Sequence, residues 1–160
     1  MLKKILSRDT CAKCRVCCGF TEEDKWEIPL IFSELREKLG EKLGDGVKLV
    51  PHGGEYVFDM DFDGEKVVMC PMAGERGCTL GEDKPFDCRV WPFRVNDLAG
   101  KRVITISPVC RAVFALPLET LVSFLNEDGF AQTLFDAARL HPDMVKPYMD
   151  GYPILAVEKE

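Results

Sequence analysis

The spacing of apolar residues predicts a helix in the first third of the chain. The apolar positions recur with a period of 3.6 residues, at Trp26, Ile28, Ile31, Phe32, Leu35 and Leu39. Pro29 lacks a backbone N–H, so it divides this stretch into a short turn and a longer helix. Gly40 and Gly44 are candidate ends of that helix.

The next stretch alternates between apolar and polar residues and predicts strands. A short strand is predicted over residues 47–51, and a longer one over residues 55–62, where Tyr56 and Phe58 share one face. Asp63-Gly64 is typical of a two-residue hairpin turn, so residues 67–69 are predicted to pair back on the longer strand. Two further strands are predicted over residues 89–95 and 101–109.

From Leu118 onwards the period becomes helical again. Two amphipathic helices are predicted over residues 118–127 and 128–140, with a break near Asp128-Gly129, and a loop or broken helix over 141–153. The sequence therefore predicts an α+β fold: a small antiparallel sheet with metal-binding cysteine loops, flanked by helices, in a single domain. Residues 1–111 form the cysteine-cluster core of that domain, and residues 112–160 form C-terminal helices packed on it.

Composition narrows the class of protein. The chain has 160 residues, of which 46% are hydrophobic and 30% charged, as in ordinary globular domains. No apolar run approaches the roughly 18 residues of a membrane helix, and the first residues lack the apolar stretch of a secretory signal. We therefore expect a cytoplasmic protein that does not bind membranes. The pI of 5.1 and the absence of a basic stripe also exclude nucleic acid as the expected partner.

Eight cysteines are the most unusual feature of the sequence. They are Cys11, Cys14, Cys17, Cys18, Cys70, Cys78, Cys88 and Cys110. Thiols stay reduced in the cytoplasm, and a chain of this length needs no disulfides to fold. The spacing therefore indicates metal binding or redox chemistry rather than a disulfide framework.

The first group has the C-x-x-C-x-x-C spacing that lets Cys11, Cys14 and Cys17 face one centre, as in bacterial ferredoxins. Adjacent side chains in an extended or turn segment diverge, so Cys17 and Cys18 are not expected to share one small ion. Two sites of four cysteines each, for tetrahedral zinc or a cubane cluster, explain all eight. One site with the remaining thiols free or redox-active is the alternative.

Charge is distributed unevenly around these cysteines. Residues 1–18 carry five basic side chains against one acidic, whereas the whole chain has a net charge of −6. Metal centres held by thiolates are anionic, and nearby cations offset such charge. A random distribution of charged side chains over the protein surface explains the pattern equally well. The candidate cations are Arg15, Arg89, Arg94 and Arg111.

Other motifs give weaker signals. The DMDFDG stretch beginning at Asp59 matches the start of an EF-hand loop, but Cys70 stands at the twelfth position, where the calcium ligand Glu is required. His52 and His141 are isolated and are not expected to bind metal. The phosphate-binding, dinucleotide-binding and nucleophile-elbow motifs are absent from the sequence. The catalytic residues are therefore unknown, and an enzymatic activity stays open.

The cysteine pattern resembles the YkgJ-like cysteine cluster family, the CxxCxxCC zinc- or iron-chelating domain. The resemblance covers roughly residues 11–111 and rests on the first four cysteines, Cys70, Cys110 and the motifs Gly77-Cys78, Leu80, Lys84-Pro85, Cys88-Arg89 and Trp91-Pro92-Phe93. Gly81 and Lys84 stand where an aromatic residue and an arginine are usual. The resemblance implies that all eight cysteines are metal ligands.

Three functions are compatible with this pattern. The first is an iron–sulfur (4Fe–4S) or iron-binding protein that transfers electrons or supports a partner enzyme. The second is a structural zinc module for protein interaction. The third is a metalloenzyme related to methyl transfer, since flagellin lysine methylases contain a related cysteine module. In the first two functions we expect a protein partner.

Overall fold

The computed structural model describes residues 1–40, 42–64 and 66–159. It forms two compact units: unit 1 comprises Met1–Ile5 and Val90–Glu160, and unit 2 comprises Leu6–Arg89. The mixture of helices with small, mainly antiparallel sheets confirms the α+β class. Among the described residues, no helix has both the length and the apolar character needed to cross a membrane.

Unit 2 consists of short elements. Its helices are α1 (Arg8–Cys14), α2 (Ser33–Leu39) and α3 (Phe86–Val90), which ends on the first residue of the second segment of unit 1. Its strands are β1 (Gly19–Phe20), β2 (Leu49–His52), β3 (Glu55–Phe58), β4 (Val68–Met69), β5 (Ala73–Gly74) and β6 (Gly77–Cys78). Three antiparallel pairs result, β1–β4, β2–β3 and β5–β6. Short 3-10 turns cover Val16–Cys18, Lys25–Glu27 and Gly81–Asp83.

A small apolar core holds unit 2 together and supports two of the cysteines. Its buried members are Ile31, Leu39, Phe58, Met72 and Leu80. Cys70 and Cys78 pack against it as partly buried side chains. Burial of this apolar surface is the main stabilising contribution in so small a unit, so the core fixes the place of both thiols.

Two buried or half-buried carboxylates tie the segments of unit 2 together. The Glu55 carboxylate accepts a hydrogen bond from the Ser33 N–H at the start of α2, at 2.9 Å. The Asp87 carboxylate accepts one from the Leu30 N–H at 3.0 Å. Hydrogen bonds to charged acceptors are among the stronger ones, so these contacts join α2 to β3 and α3 to the segment before α2.

Unit 1 is built on a four-stranded sheet with the order β10-β8-β7-β9. The strands are β7 (Phe93–Leu98), β8 (Lys101–Ile106), β9 (Lys146–Pro147) and β10 (Ile154–Val157). Among the strand pairs that the described residues form in this sheet, β7–β9 is parallel and the other two are antiparallel. The helices are α4 (Arg111–Phe114), α5 (Leu118–Asn126) and α6 (Phe130–Leu140), and 3-10 turns cover Glu127–Gly129 and Pro142–Met144. An aromatic group of Phe93, Phe124 and Phe130 joins the sheet to α5 and α6.

Several predicted elements agree with the structure. The helix with Gly40 as its C-cap is confirmed as α2, although it begins only at Ser33. The two C-terminal helices are confirmed as α5 and α6, and the break falls at Asp128 and Gly129, both with positive φ. The strands predicted over residues 47–51 and 101–109 are confirmed as β2 and β8.

Two predicted strand arrangements were wrong. The β3 strand pairs with β2 through a tight turn at Gly53-Gly54, and not with residues 67–69. Val68–Met69 instead pairs with β1, fifty residues earlier in the chain. The stretch predicted as a strand over 89–95 begins inside α3 and becomes extended only at Phe93. Glu65, beside the predicted Asp63-Gly64 turn, lies outside the described residues.

The turn between β7 and β8 gives a first testable prediction. It consists of Ala99 and Gly100, with φ values of 53° and 83°. A non-glycine residue pays roughly 1–2 kcal/mol for the left-handed conformation, and asparagine tolerates it better than alanine. Ala99→Asn should therefore raise the free energy of unfolding by about 0.5–1 kcal/mol in urea denaturation. Ala99→Val should lower it, and equal stability of both variants would contradict this interpretation of the turn.

Candidate metal centre

The first cysteine motif lies on a short helix followed by a tight turn. Ser7 caps α1, since its hydroxyl accepts a hydrogen bond from the Thr10 N–H at 3.0 Å. Cys11 and Cys14 are three residues apart on this helix and therefore share one side of it. The helix ends at Arg15, whose N–H donates to the Cys11 carbonyl at 3.1 Å. Because the following 3-10 turn carries Cys17 and Cys18, all four thiols are held by regular backbone.

The β1–β4 pair brings the second cysteine region to the first. Gly19 is paired with Met69, and the Cys70 N–H donates to the Cys18 carbonyl at 2.6 Å. A Cβ at Gly19 would lie 2.8 Å from Cγ1 of Val67, so a larger residue here would have to displace that exposed side chain. The pairing of β1 with β4 therefore places Cys18 beside Cys70.

The β5–β6 hairpin adds Cys78 to the same region. Cys78 is paired with Ala73, and Gly77 has a φ of 100°. A Cβ on Gly77 would lie 3.4 Å from the Cβ of Ala12, so the hairpin packs closely against α1. A guanidinium nitrogen of Arg15 also lies 3.5 Å from the Gly74 carbonyl oxygen. Helix, turn and hairpin thus surround one group of sulfur atoms.

Three of these thiols lie within hydrogen-bonding reach of one another. The Cys17 thiol keeps its proton and can donate it to Cys11 or to Cys18, which raises the pKa of Cys17. The same donation is the largest cause that lowers the pKa of Cys11 to about 6 and that of Cys18 to about 7. Cys17 and Cys18 had been expected to diverge, but the 3-10 turn places both sulfurs in one set.

Cys70 and Cys78 are affected chiefly by desolvation. Burial against the apolar core raises the pKa of Cys70 to about 11 and also raises the pKa of Cys78. Backbone N–H groups act in the opposite direction: Met72 donates to the Cys70 sulfur and Leu80 to the Cys78 sulfur. Such N–H···S bonds stabilise thiolates and tune metal centres held by cysteine. Cys18 interacts electrostatically with both thiols, so we call Cys11, Cys17, Cys18, Cys70 and Cys78 the thiol cluster.

The three remaining cysteines differ from the thiol cluster. Cys14 is exposed on α1. Desolvation, then the charges of Asp87, Cys70, Cys78 and Cys18, raises the pKa of Cys88, so this thiol lies at the edge of the thiol cluster. The residue is nevertheless exposed, so water reaches it. Cys110 belongs to unit 1, whereas the other seven cysteines belong to unit 2.

The cations near the thiols are partly those expected from the sequence. Arg15 lowers the pKa of Cys18, in agreement with its expected role. Lys84 lowers the pKa of Cys11, Cys18 and Cys78, although its charge was not considered among the candidate cations. The sequence did contain a signal for this role, because Lys84 lies between Cys78 and Cys88 in the chain. Arg94 is in unit 1 and lies over the Trp91 ring, with 4.5 Å between the guanidinium carbon and the ring centroid.

The histidines and the acidic loop lie outside the thiol cluster. His52 is the last residue of β2, paired with Glu55, and His141 caps the C-terminus of α6. Within the described residues, no group of three or more histidine, cysteine, aspartate or glutamate side chains is already arranged to hold a metal ion. The donor atoms of the thiol cluster nevertheless suit zinc or iron, because thiolates are soft ligands.

No family model matches the chain, and no curated protein and no solved structure matches it. The resemblance to the YkgJ-like family therefore stays a prediction from the motifs.

The hydrogen bonds among the thiols predict how they react in the metal-free, reduced protein. Only the thiolate reacts with iodoacetamide, so a lowered pKa moves the reaction to lower pH. We expect the alkylation rates of Cys11 and Cys18 to rise with midpoints near pH 6–7, and that of Cys70 to rise near pH 11. Mass spectrometry of peptides quenched at each pH measures this. A common midpoint near the ordinary cysteine pKa would contradict the arrangement.

Proposed function

We propose that the chain is a cytoplasmic metal-binding protein whose thiol cluster holds an iron–sulfur centre, used for electron transfer or to support a partner enzyme. The observation that carries this proposal is the meeting of five thiols from α1, the 3-10 turn, the residue after β4, and β6. All eight cysteines are free thiols, as metal ligation requires. Free thiols are typical of the reducing cytoplasm, which supports that location.

The surroundings of the thiols suit an anionic iron–sulfur cluster. Unit 2 contains seven cysteines, which is enough for the four thiolates that a cubane cluster or a tetrahedral zinc ion takes. Backbone N–H groups donate to two of the sulfurs, and Lys84 and Arg15 supply positive charge near them. Each of these features stabilises thiolates and offsets the negative charge of a cluster. Such a centre would supply one-electron chemistry, and the protein would supply its position and charge environment.

Metal ions bind thiolates, so the cysteines of the thiol cluster lose their protons when a metal enters. Metal ligation replaces those protons, and the ligands then turn towards one centre. We therefore propose that the final geometry forms as the metal enters.

Thiol protection tests this proposal. The metal-free protein is reconstituted anaerobically with Fe²⁺ and sulfide, and in parallel with Zn²⁺, and its reactive thiols are then counted and mapped by mass spectrometry. We expect about four or more thiols of unit 2 to become unreactive on reconstitution with iron and sulfide. Protection by Zn²⁺ alone would favour the structural zinc module. If all the thiols of unit 2 stay reactive in both samples, the thiol cluster is not a metal centre.

A further inference from the structure

Beside the thiol cluster, unit 2 exposes a short basic stretch. Lys13, Cys14, Arg15 and Val16 are all exposed, and two of the four are cations. From Leu6 to Cys18 there are three basic residues against one acidic, in a chain whose net charge is −6. This stretch of the chain therefore has the opposite sign to the protein as a whole.

Apolar side chains border this basic stretch. A Cβ on Gly19 would lie 2.8 Å from Cγ1 of Val67, 3.2 Å from Sδ of Met69 and 3.8 Å from the Val16 carbonyl oxygen, so these residues gather around one glycine. The exposed fractions of Val16, Val67 and Met69 are 54%, 63% and 45%. Grouped exposed apolar residues rimmed by charge are typical of protein interaction sites. We call Lys13, Arg15, Val16, Val67 and Met69 the rim patch.

Arg15 has a left-handed backbone conformation at the end of α1. Its φ is 51°, where glycine or asparagine would fit with less strain. Its N–H donates to the Cys11 carbonyl, and its guanidinium approaches the Gly74 carbonyl oxygen. Residues in sparsely populated backbone conformations cluster at functional sites, which is consistent with a role for Arg15 in binding.

We propose that the rim patch is a docking surface for a protein partner whose contact face carries carboxylates around an apolar centre. The partner's carboxylates face Lys13 and Arg15, and its apolar side chains cover Val16, Val67 and Met69. The proposal rests on the proposed function in one respect: a partner docked here lies beside the thiols that hold the metal. Charge complementarity of this kind speeds association and selects the partner.

A peptide of repeated Glu-Glu-Leu units, labelled with a fluorophore, is the probe, and a Gln-Gln-Leu peptide is its uncharged match. Binding to the metal-loaded protein is measured by fluorescence anisotropy at two salt concentrations. We expect the acidic peptide to bind more tightly than its match, and its affinity to fall with salt, because exposed charges are screened. Equal binding of both peptides would overturn the proposal.

Charge variants locate the site. The double variant Lys13→Gln/Arg15→Asn removes two positive charges, and asparagine tolerates the backbone conformation of Arg15. Lys101→Gln/Arg111→Gln removes the same charge from exposed positions of unit 1. We expect the first pair to weaken binding about tenfold and the second by about twofold or less. Equal weakening by both pairs would show that only net charge matters and would overturn the proposal.

Apolar variants and vesicles complete the test. Val67→Ser/Met69→Gln should weaken peptide binding, whereas Leu140→Gln, at a 77% exposed position of unit 1, should not.

Vesicles of phosphatidylglycerol test whether the rim patch binds a lipid surface instead. Binding to vesicles that depends on the rim patch, without binding to the acidic peptide, would overturn the proposal of a protein partner. Metal and sulfide are assayed in the same samples. A sample that contains zinc and no sulfide would contradict the iron–sulfur centre. The peptide affinities of that sample would still test the docking surface, so the two proposals can fail independently.

Discussion

Replacing Cys18 with serine is expected to release the metal and to lower the free energy of unfolding of unit 2 by at least about 3 kcal/mol. Site formation and folding are coupled, and thiolate-rich zinc sites bind with roughly 10–16 kcal/mol. Cys18 is the thiol that contacts Cys17 and interacts electrostatically with Cys70 and Cys78. Metal content by plasma emission spectroscopy and urea denaturation of the metal-loaded protein measure the two effects.

Met72→Leu is the matched control for Cys18→Ser. Met72 is buried in the same core and lies between Cys70 and Cys78 in the chain, but it is not a thiol. Exchange of methionine for leucine keeps the volume of the side chain and costs less than about 1.5 kcal/mol. This control should therefore keep its metal. If Cys18→Ser keeps its metal as well, the assignment of the thiol cluster is wrong.

Replacing Phe93 with alanine is expected to lower the free energy of unfolding of unit 1 by about 3–5 kcal/mol. Phe93 is 1% exposed, and its ring centroid lies 5.7 Å from that of Phe124 and 5.5 Å from that of Phe130. Its removal leaves a cavity between the sheet and the two helices. Amide hydrogen exchange across β7 and β8 should accelerate in proportion to the lost stability.

Leu140→Ala serves as the control for Phe93→Ala. Leu140 ends α6 and is almost fully exposed, so its truncation should change the free energy of unfolding by about 0.5 kcal/mol or less. A loss below about 1 kcal/mol in Phe93→Ala would contradict the central place of the aromatic group in unit 1.

Elements with a long, clear period were predicted well from the sequence. The stretch from Leu118 to Leu140 repeats its apolar residues at helical spacing, and Asp128-Gly129 marks the break, so α5 and α6 fall close to their predicted bounds. β8 was predicted from its β-branched residues. In these segments the local pattern and the tertiary packing require the same conformation, which makes the pattern sufficient.

Very short elements, and strand pairs that are distant in the sequence, could not be predicted from local patterns. β1 and β4 have two residues each, which is too few for a period, and their pairing joins Gly19 to Met69. α1 was not predicted because cysteine is a weak helix former, and the signal lay instead in the cap at Ser7. β9 was missed because residues 141–153 were predicted as a loop or broken helix, and Pro147 disfavours a strand. No element was predicted over residues 154–157, which form β10.

The candidate site was likewise predictable only where local sequence spacing determines it. The spacing predicted that Cys11, Cys14 and Cys17 face one centre and that Cys18 does not share it. The structure instead groups Cys11, Cys17 and Cys18, and it leaves Cys14 exposed. The role of Lys84 depends on how the hairpin and α3 fold around the thiols, which no local pattern encodes. The metal assignment for Cys14, Cys88 and Cys110 stays a prediction.

The most direct test of the iron–sulfur centre is the composition of the protein purified without oxygen. Absorption near 400 nm is recorded, and iron, acid-labile sulfide and zinc are assayed per chain. We expect a brown protein that contains roughly four iron and four sulfide per chain, the composition of a cubane cluster held by cysteine. A colourless protein that contains zinc and no sulfide would contradict the iron–sulfur centre and leave the thiol cluster as a structural zinc site.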